Sequence, residues 1–240
     1  RVVAIMPHGS HASVVSVASR QTWLIPDDLG IEEAATIPVP FGTADDCLFE
    51  FGHLRAGETV LVQAGASGVG LATVQLAKRA GATVIATAGS DVKLERLRAF
   101  GMDHGINYRS QDFVAEVRRL TAGRGVDLVV DSVGSTLQGS IEAAAYRGRI
   151  ITVGNVSRSD RRLDVSPLMG GNKSLTGVFL GAESLMNPDR VYPMIQRHIA
   201  DIAAGRLRVV VDRTFPLSEA AAAHAYVESR ASFGRVLLVP

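Results

Sequence analysis

The chain has 240 residues, with 47% hydrophobic residues, 24 glycines and 5% aromatics, the profile of a packed α/β protein of one large or two modest domains. Its formal net charge of +1 calls for neither nucleic acid nor an acidic membrane surface as partner. The single cysteine, Cys47, excludes an internal disulfide framework and a multi-cysteine zinc site, and suits a reducing, cytoplasmic setting.

The opening "RVVAIMP" is strand-like and has no initiator Met, so the chain is expected to start inside a longer protein. Residues 2–6 and 13–18 are short β-branched runs, split by the turn-rich "PHGSHA". In "WLIPDDLGIEEAATIP", Asp27 and Asp28 can cap a helical turn near 31–35, before a break at Pro38 and Pro40. "TADDCLFEFGHL" has apolar residues at helical spacing and ends near Gly52.

A regular alternation follows. Strand 59–63 leads to a helix over about 68–80, strand 83–87 to a helix over about 91–100, and strand 104–107 to a helix over about 111–121. "GVDLVVDSVG" is a buried strand before a helix over about 136–146, and "GRIITVGN" and "SLTGVFL" are the fifth and sixth strands. Apolar runs without polar alternation mark strands covered on both faces, so these six form a doubly wound parallel sheet. A helix over about 189–204, a strand at 207–213, a helix over about 218–228 and a strand at 235–239 close the chain. These last strands are expected to join the first forty residues in a second, mainly β unit. No apolar run reaches the ~18 residues of a membrane span.

The stretch "VLVQAGASGVG", Val60–Gly70, runs from a buried strand into a glycine turn. It resembles a dinucleotide fingerprint with Ser67 in place of the middle glycine. The first N–H groups of the helix lack intrahelical partners, and with the helix dipole they favour an anion. Gly65 permits the turn, Gly68 admits a phosphate to the backbone, and Gly70 lets helix and strand pack closely. An NADH site wants an acid at the end of the second strand, ~20 residues past the glycines. Here the sequence is "ATAGSDVK": Gly89, Ser90 and Lys93 supply a small residue, a hydroxyl and an ammonium, a receptor for a 2′-phosphate. Asp91 is acidic and adjacent, and its expected role is the N-cap of the next helix.

"RAGETVLVQAGASGVGLATVQLAKRAGATVIATAGSDVKLERLRAFGMDHGINYRSQDF" resembles the zinc-independent quinone oxidoreductases of the medium-chain dehydrogenase/reductase superfamily. "EEAATIPVPFGTA" and "YVESRASFGRVLLVP" resemble the same family, so the likeness covers nearly the whole chain. It implies a GroES-like, mainly β catalytic domain built from both chain ends, with a Rossmann domain inserted. The implied boundaries are a partial catalytic domain over 1–36, an NADPH-binding domain over 37–180 extending to about 205, and a return to the catalytic domain over 206–240. By the usual size of such chains, roughly 90 further residues of that domain are expected before Arg1.

The family pattern implies backbone contacts to the cofactor pyrophosphate at Ser67, Gly68 and Val69. It implies a 2′-phosphate site of Gly89, Ser90, Lys93, Tyr108 from "INYR" and Arg230 from "ESRA". Val133 and Gly134 are implied beside the adenosine half, and Gly154, Asn155, Phe179, Leu180 and Thr43 near the nicotinamide. The expected cofactor is NADP(H). Zinc-dependent relatives place a cysteine ligand where Val39 stands, and the histidines show no paired ligand spacing, so no metal is expected. "GASGVG" does not complete a nucleophile elbow and no His is placed to serve Ser67, which argues against a hydrolase.

The expected activity is hydride transfer from NADPH to a small-molecule quinone, with an enone or enoyl substrate as the alternative. A non-catalytic NADPH-binding protein is the alternative of another class. No general acid or other catalytic residue is nominated. A homodimer through the sheet edge near 174–178 is expected, with neither nucleic acid nor membrane as partner.

Overall fold

The computed structural model describes residues 1–157 and 162–240. Contacts divide the chain into two compact units: one of Arg1–Gly42, Ser67–Val69 and Phe179–Pro240, the other of Thr43–Ala66 and Gly70–Val178.

The second unit is built on six parallel strands: β3 (Thr59–Val62), β4 (Thr83–Ala88), β5 (His104–Asn107), β6 (Val126–Asp131), β7 (Ala144–Thr152) and β8 (Ser174–Gly177); β1 (Val2–Ala4) and β2 (Thr22–Leu24) belong to the other unit. Their order is β5-β4-β3-β6-β7-β8, so the sheet winds outward in both directions from β3 and β6. Helices α3 (Gly68–Arg79), α4 (Asp91–Arg98), α5 (Phe113–Leu120), α6 (Leu137–Ala143) and the short α7 (Ser166–Gly170) lie on the connections. The alternation expected from the sequence is therefore present, with boundaries moved by a few residues.

Local chemistry accounts for these elements. Strands β3, β4 and β6 are buried along nearly their whole length, as continuous Val, Ile, Leu and Ala runs require. Leu61, Ile85, Ile106, Val117, Val129, Ile141 and Ile150 form one core cluster. Asp112 caps α5, its carboxylate accepting from the N–H groups of Val114 at 2.8 Å and Ala115 at 3.3 Å. At the N-terminal ends of the strands, Arg149 pairs in a bidentate fork with Glu58 at 3.0 and 2.6 Å. The carboxylate of Asp127 accepts from the N–H of Thr59 at 2.8 Å. Sheet alignment is thus fastened at the N-terminal ends of the strands.

The first unit contains two small sheets. Strand β1 (Val2–Ala4) pairs antiparallel with β2 (Thr22–Leu24), and β9 (Val211–Pro216) pairs parallel with β10 (Arg235–Val239). Helices α1 (Ile31–Ala35), α8 (Leu180–Met186), α9 (Pro188–Ala203) and α10 (Ala220–Glu228) belong here, and α2 (Pro38–Asp45) begins here. The terminal strands lie in this unit in two separate two-stranded sheets, among four helices, rather than in one mainly β sheet.

Two local expectations are corrected. Residues 13–18 form no strand: Val14 and Val15 are exposed, and β1 takes Thr22–Leu24, anchored by buried Trp23, as its partner. The indole N–H of Trp23 donates to the carbonyl of Tyr192 at 3.0 Å, which fixes β2 rather than the earlier run. Helix α1 is entered through Gly30 with no side-chain cap, so Asp27 and Asp28 do not serve it. The break expected at Pro38 is present, α1 ending at Ala35; a further helix, α2, then starts at Pro38, with Pro38 and Pro40 in its first turn, where residues need no N–H donor. A π-helical turn, Asp46–Glu50, continues α2. Among the described residues no helix is long and apolar enough to cross a membrane.

Candidate functional site

In an open parallel sheet, ligands bind beyond the carboxyl ends of the strands where the winding direction reverses. Here that point lies between β3 and β6. The turn after β3 is unusually close-packed. Ala64 sits at a left-handed φ of +53°, costly for a residue with a side chain. A Cβ on Gly65 would lie 2.9 Å from the Cβ of Ala86 and 3.1 Å from a methyl of Leu97. A Cβ on Gly70 would strike the carbonyl oxygen of Ala64 and come within 2.7 Å of the Cα of Gly65. Ser67, Gly68 and Val69 follow at the start of α3. The side chain of Arg235 packs against Gly68, and the backbone of Ser67 bridges in parallel to Gly234. Arg235 itself is exposed to solvent, and its guanidinium keeps its charge.

The turn after β3 and the turn after β6 are joined by a buried polar chain that sequence reading does not anticipate. Asp131, fully buried at the end of β6, accepts from the N–H groups of Val133 at 2.9 Å and Gly134 at 3.1 Å. It also accepts from the hydroxyls of Thr136 at 2.8 Å and Ser140 at 2.7 Å. The Ser140 hydroxyl accepts from the side-chain amide of Gln63 at 3.2 Å. The Gln63 carbonyl oxygen accepts from the Thr87 hydroxyl at 2.8 Å, and that hydroxyl accepts from the N–H of strained Ala64 at 3.1 Å. The signal in the sequence is the type of residue: Gln63, Thr87 and Asp131 end or nearly end three otherwise apolar strands. Buried polar groups are retained only when satisfied, so such residues indicate mutual partners.

Gly134, at φ +86°, lies against the side chain of Asn155. The Ser157 hydroxyl donates to Asn155 Oδ1 at 3.0 Å and accepts from the N–H of Ser135 at 3.0 Å. Val133, Gly134, Gly154 and Asn155 therefore fall together. A cleft of about 350 Å³ is lined here by Gly134, Ser135, Gln138, Thr152, Gly154 and Asn155.

The tip of β4 forms a third cluster. A Cβ on Gly89 would lie 2.7 Å from the phenolic oxygen of Tyr108 and 3.3 Å from Nε of Arg109. The N–H of Tyr108 donates to the carbonyl of Ala88 at 3.2 Å, holding the turn after β5 over the tip of β4. Ser90, not Asp91, caps α4: its hydroxyl oxygen accepts from the N–H of Lys93 at 3.4 Å. The Asp91 carboxylate instead accepts from the Asn107 side-chain amide at 3.0 Å, which corrects its expected capping role. Gly89, Ser90, Lys93 and Tyr108 are thus neighbours, and Arg109 joins them.

The remaining residues are placed by their own elements. Thr43 is buried inside α2, past its first turn. Phe179 is 73% exposed at the entry to α8, while Leu180 is buried, its methyl 2.9 Å from where a Cβ of Gly42 would be. Arg230 follows α10 at a left-handed φ of +59°. The Cys47 thiol is buried, and burial, helped by the Asp46 carboxylate, pushes its pKa up, which leaves it unreactive. Among the described residues no three His, Cys, Asp or Glu side chains group in a way that could hold a metal ion.

Residues 68–213 match the family model described as zinc-binding dehydrogenase. The chain is 34% identical over 239 residues, 99% of its length, to phthioceranic/hydroxyphthioceranic acid synthase of Mycobacterium tuberculosis, of which it spans only 11%. It is 33% identical to the 2-haloacrylate reductase of a Burkholderia species, over 98% of this chain and 72% of that one. Its fold matches the quinone oxidoreductase of Escherichia coli complexed with NADPH, with a TM-score of 0.90 and 29% identity over 96% of this chain and 72% of the other.

Proposed function

Because the chain belongs to the medium-chain dehydrogenase/reductase superfamily of oxidoreductases, we propose that it carries the NADP(H) site of an enzyme that reduces a quinone. The observation that carries this reading is the pairing of a close-packed glycine turn at the switch point with a β4 tip that has no room for an acid. Bound there, NADPH supplies a hydride. Ser67, Gly68 and Val69 would hold the pyrophosphate by backbone N–H groups, with Arg235 adding positive charge beside Gly68. The buried chain from Asp131 to Ala64 would keep both strand-end turns in register for the nucleotide. Gly89, Ser90, Lys93 and Tyr108 would receive the 2′-phosphate, with Arg230 as a further cation. Gly154, Asn155, Phe179, Leu180 and Thr43 would border the nicotinamide. Residues 1–36 and 206–240 would form part of a GroES-like catalytic domain, as the family likeness implies.

A quinone needs no strong protein acid, since solvent or a bound water can protonate its reduced oxygens, and orientation with exclusion of water is what the protein must supply. The second reading is reduction of an activated carbon–carbon double bond, favoured by the 2-haloacrylate reductase among the relatives. Stopped-flow oxidation of NADPH by the full-length protein separates them. Turnover with 1,4-benzoquinone or 9,10-phenanthrenequinone is expected. Turnover with a 2-enoyl thioester and none with any quinone would establish the second reading. NADPH binding without turnover on either would point to a non-catalytic role. We also infer a homodimer through β8, an edge strand paired on one side only among the described residues.

Lys93→Ala is expected to weaken NADPH by about 1–3 kcal/mol, the range for a lost charged hydrogen bond, with little effect on NADH. Fluorescence titration with both cofactors measures this, and equal losses would remove Lys93 from the 2′-phosphate site.

A further inference from the structure

We propose that Arg109 is a 2′-phosphate ligand and a principal determinant of the preference for NADPH over NADH; this rests on the NADP(H) reading above. Three observations at the turn after β5 support it. The first is position: Nε of Arg109 lies 3.3 Å from where a Gly89 side chain would begin, beside the Tyr108 phenol at 2.7 Å. A carboxylate at position 89, which would bind the ribose hydroxyls of NADH, would have to displace both groups.

The second is order. Asn107 organises the turn by accepting from the N–H of Arg109 through its side-chain oxygen at 3.2 Å, and its own N–H donates to Gln111 Oε1 at 2.9 Å. The backbone that presents Arg109 is therefore held, and less entropy is lost when the side chain engages a ligand.

The third is charge. The guanidinium is exposed and has no side-chain partner among the described residues. The adjacent acid, Asp91, is bonded to the Asn107 amide. A planar cationic fork beside a phenol, a serine hydroxyl and a lysine matches the oxygens of a phosphate monoester, and Arg engages phosphate in bidentate fashion where Lys acts as a point charge.

The test is calorimetric titration of the full-length protein with 2′,5′-ADP and 5′-AMP, which differ only in the 2′-phosphate. Arg109→Gln keeps the length of the side chain and removes its charge. It is expected to weaken 2′,5′-ADP about tenfold or more while changing 5′-AMP by less than about twofold. Arg109→Lys is expected to restore part of the selectivity. Equal weakening of both nucleotides would overturn the proposal in favour of adenine packing, and no change in either would make Arg109 a solvated surface charge. If Lys93→Ala loses 2′,5′-ADP selectively while Arg109→Gln does not, the phosphate site stands and the Arg109 assignment fails. If the unmodified protein binds 5′-AMP as tightly as 2′,5′-ADP, the NADP(H) reading itself fails.

Discussion

Asp131→Ala is expected to cost about 3–5 kcal/mol of stability, the range for stranding buried partners of a removed charge. The carboxylate is fully buried and is the acceptor for the N–H groups of Val133 and Gly134 and the hydroxyls of Thr136 and Ser140. Alanine leaves those donors in a site too enclosed to hydrate them freely, and each unsatisfied group costs about 1–3 kcal/mol before relaxation. The hydroxyls can rotate toward other acceptors, which keeps the total below the simple sum. For a chain of this size the loss corresponds to a fall in midpoint of about 6–20 °C, measurable by differential scanning calorimetry. Asp131→Asn preserves shape and one acceptor oxygen, so its loss is expected to be about half as large. A loss below about 1 kcal/mol for Asp131→Ala would mean that the chain of bonds is not a stabilising unit.

Gly70→Ala is the second large effect. Its single added carbon would strike the Ala64 carbonyl and lie 2.7 and 2.8 Å from two backbone atoms of Gly65. No rotamer change relieves this, because the obstacle is backbone in a turn already strained at Ala64. Helix α3 must move away from β3, at an expected cost of about 3 kcal/mol. The same movement displaces the N–H groups of Ser67, Gly68 and Val69, so NADPH binding is expected to fall at least tenfold. Gly57 is the matched control. Its φ is +85° but no atom lies within 4 Å of an added Cβ, so Gly57→Ala carries only the backbone penalty of about 1–2 kcal/mol and leaves NADPH affinity unchanged. Equal NADPH affinities for the two variants would show that the turn is not the cofactor cradle.

The alternating strands and helices were legible in the sequence because burial on both faces leaves a plain record, as in "TVLV" and "VDLVV". The run at 13–18 misled because β-branched residues report compatibility with a strand, while pairing depends on a partner that Trp23 secures elsewhere. Pro38 marked the end of α1 as read, but not the helix that begins on it, because proline signals a helix boundary without saying on which side a helix lies. At the candidate site, Gly89, Ser90 and Lys93 were readable from their place after the second strand, Tyr108 was implied only by the family likeness, and the structure makes neighbours of them. Arg109 was not, because its approach to Gly89 depends on how the turn after β5 folds over β4. The Asp131 chain was hidden for the same reason, since Thr87, Gln63 and the Asp131–Ser140 pair lie on separate strand–helix units and meet only through strand order.

The bond between Asn107 and Asp91 has a consequence for how such sheets diverge. The one carboxylate near the β4 tip, at the first residue of α4, lies two residues past Gly89 and is held by a neighbouring amide. A change of cofactor preference in a protein of this design would therefore need both a carboxylate at the strand tip itself and retreat of the groups that fill the space above Gly89.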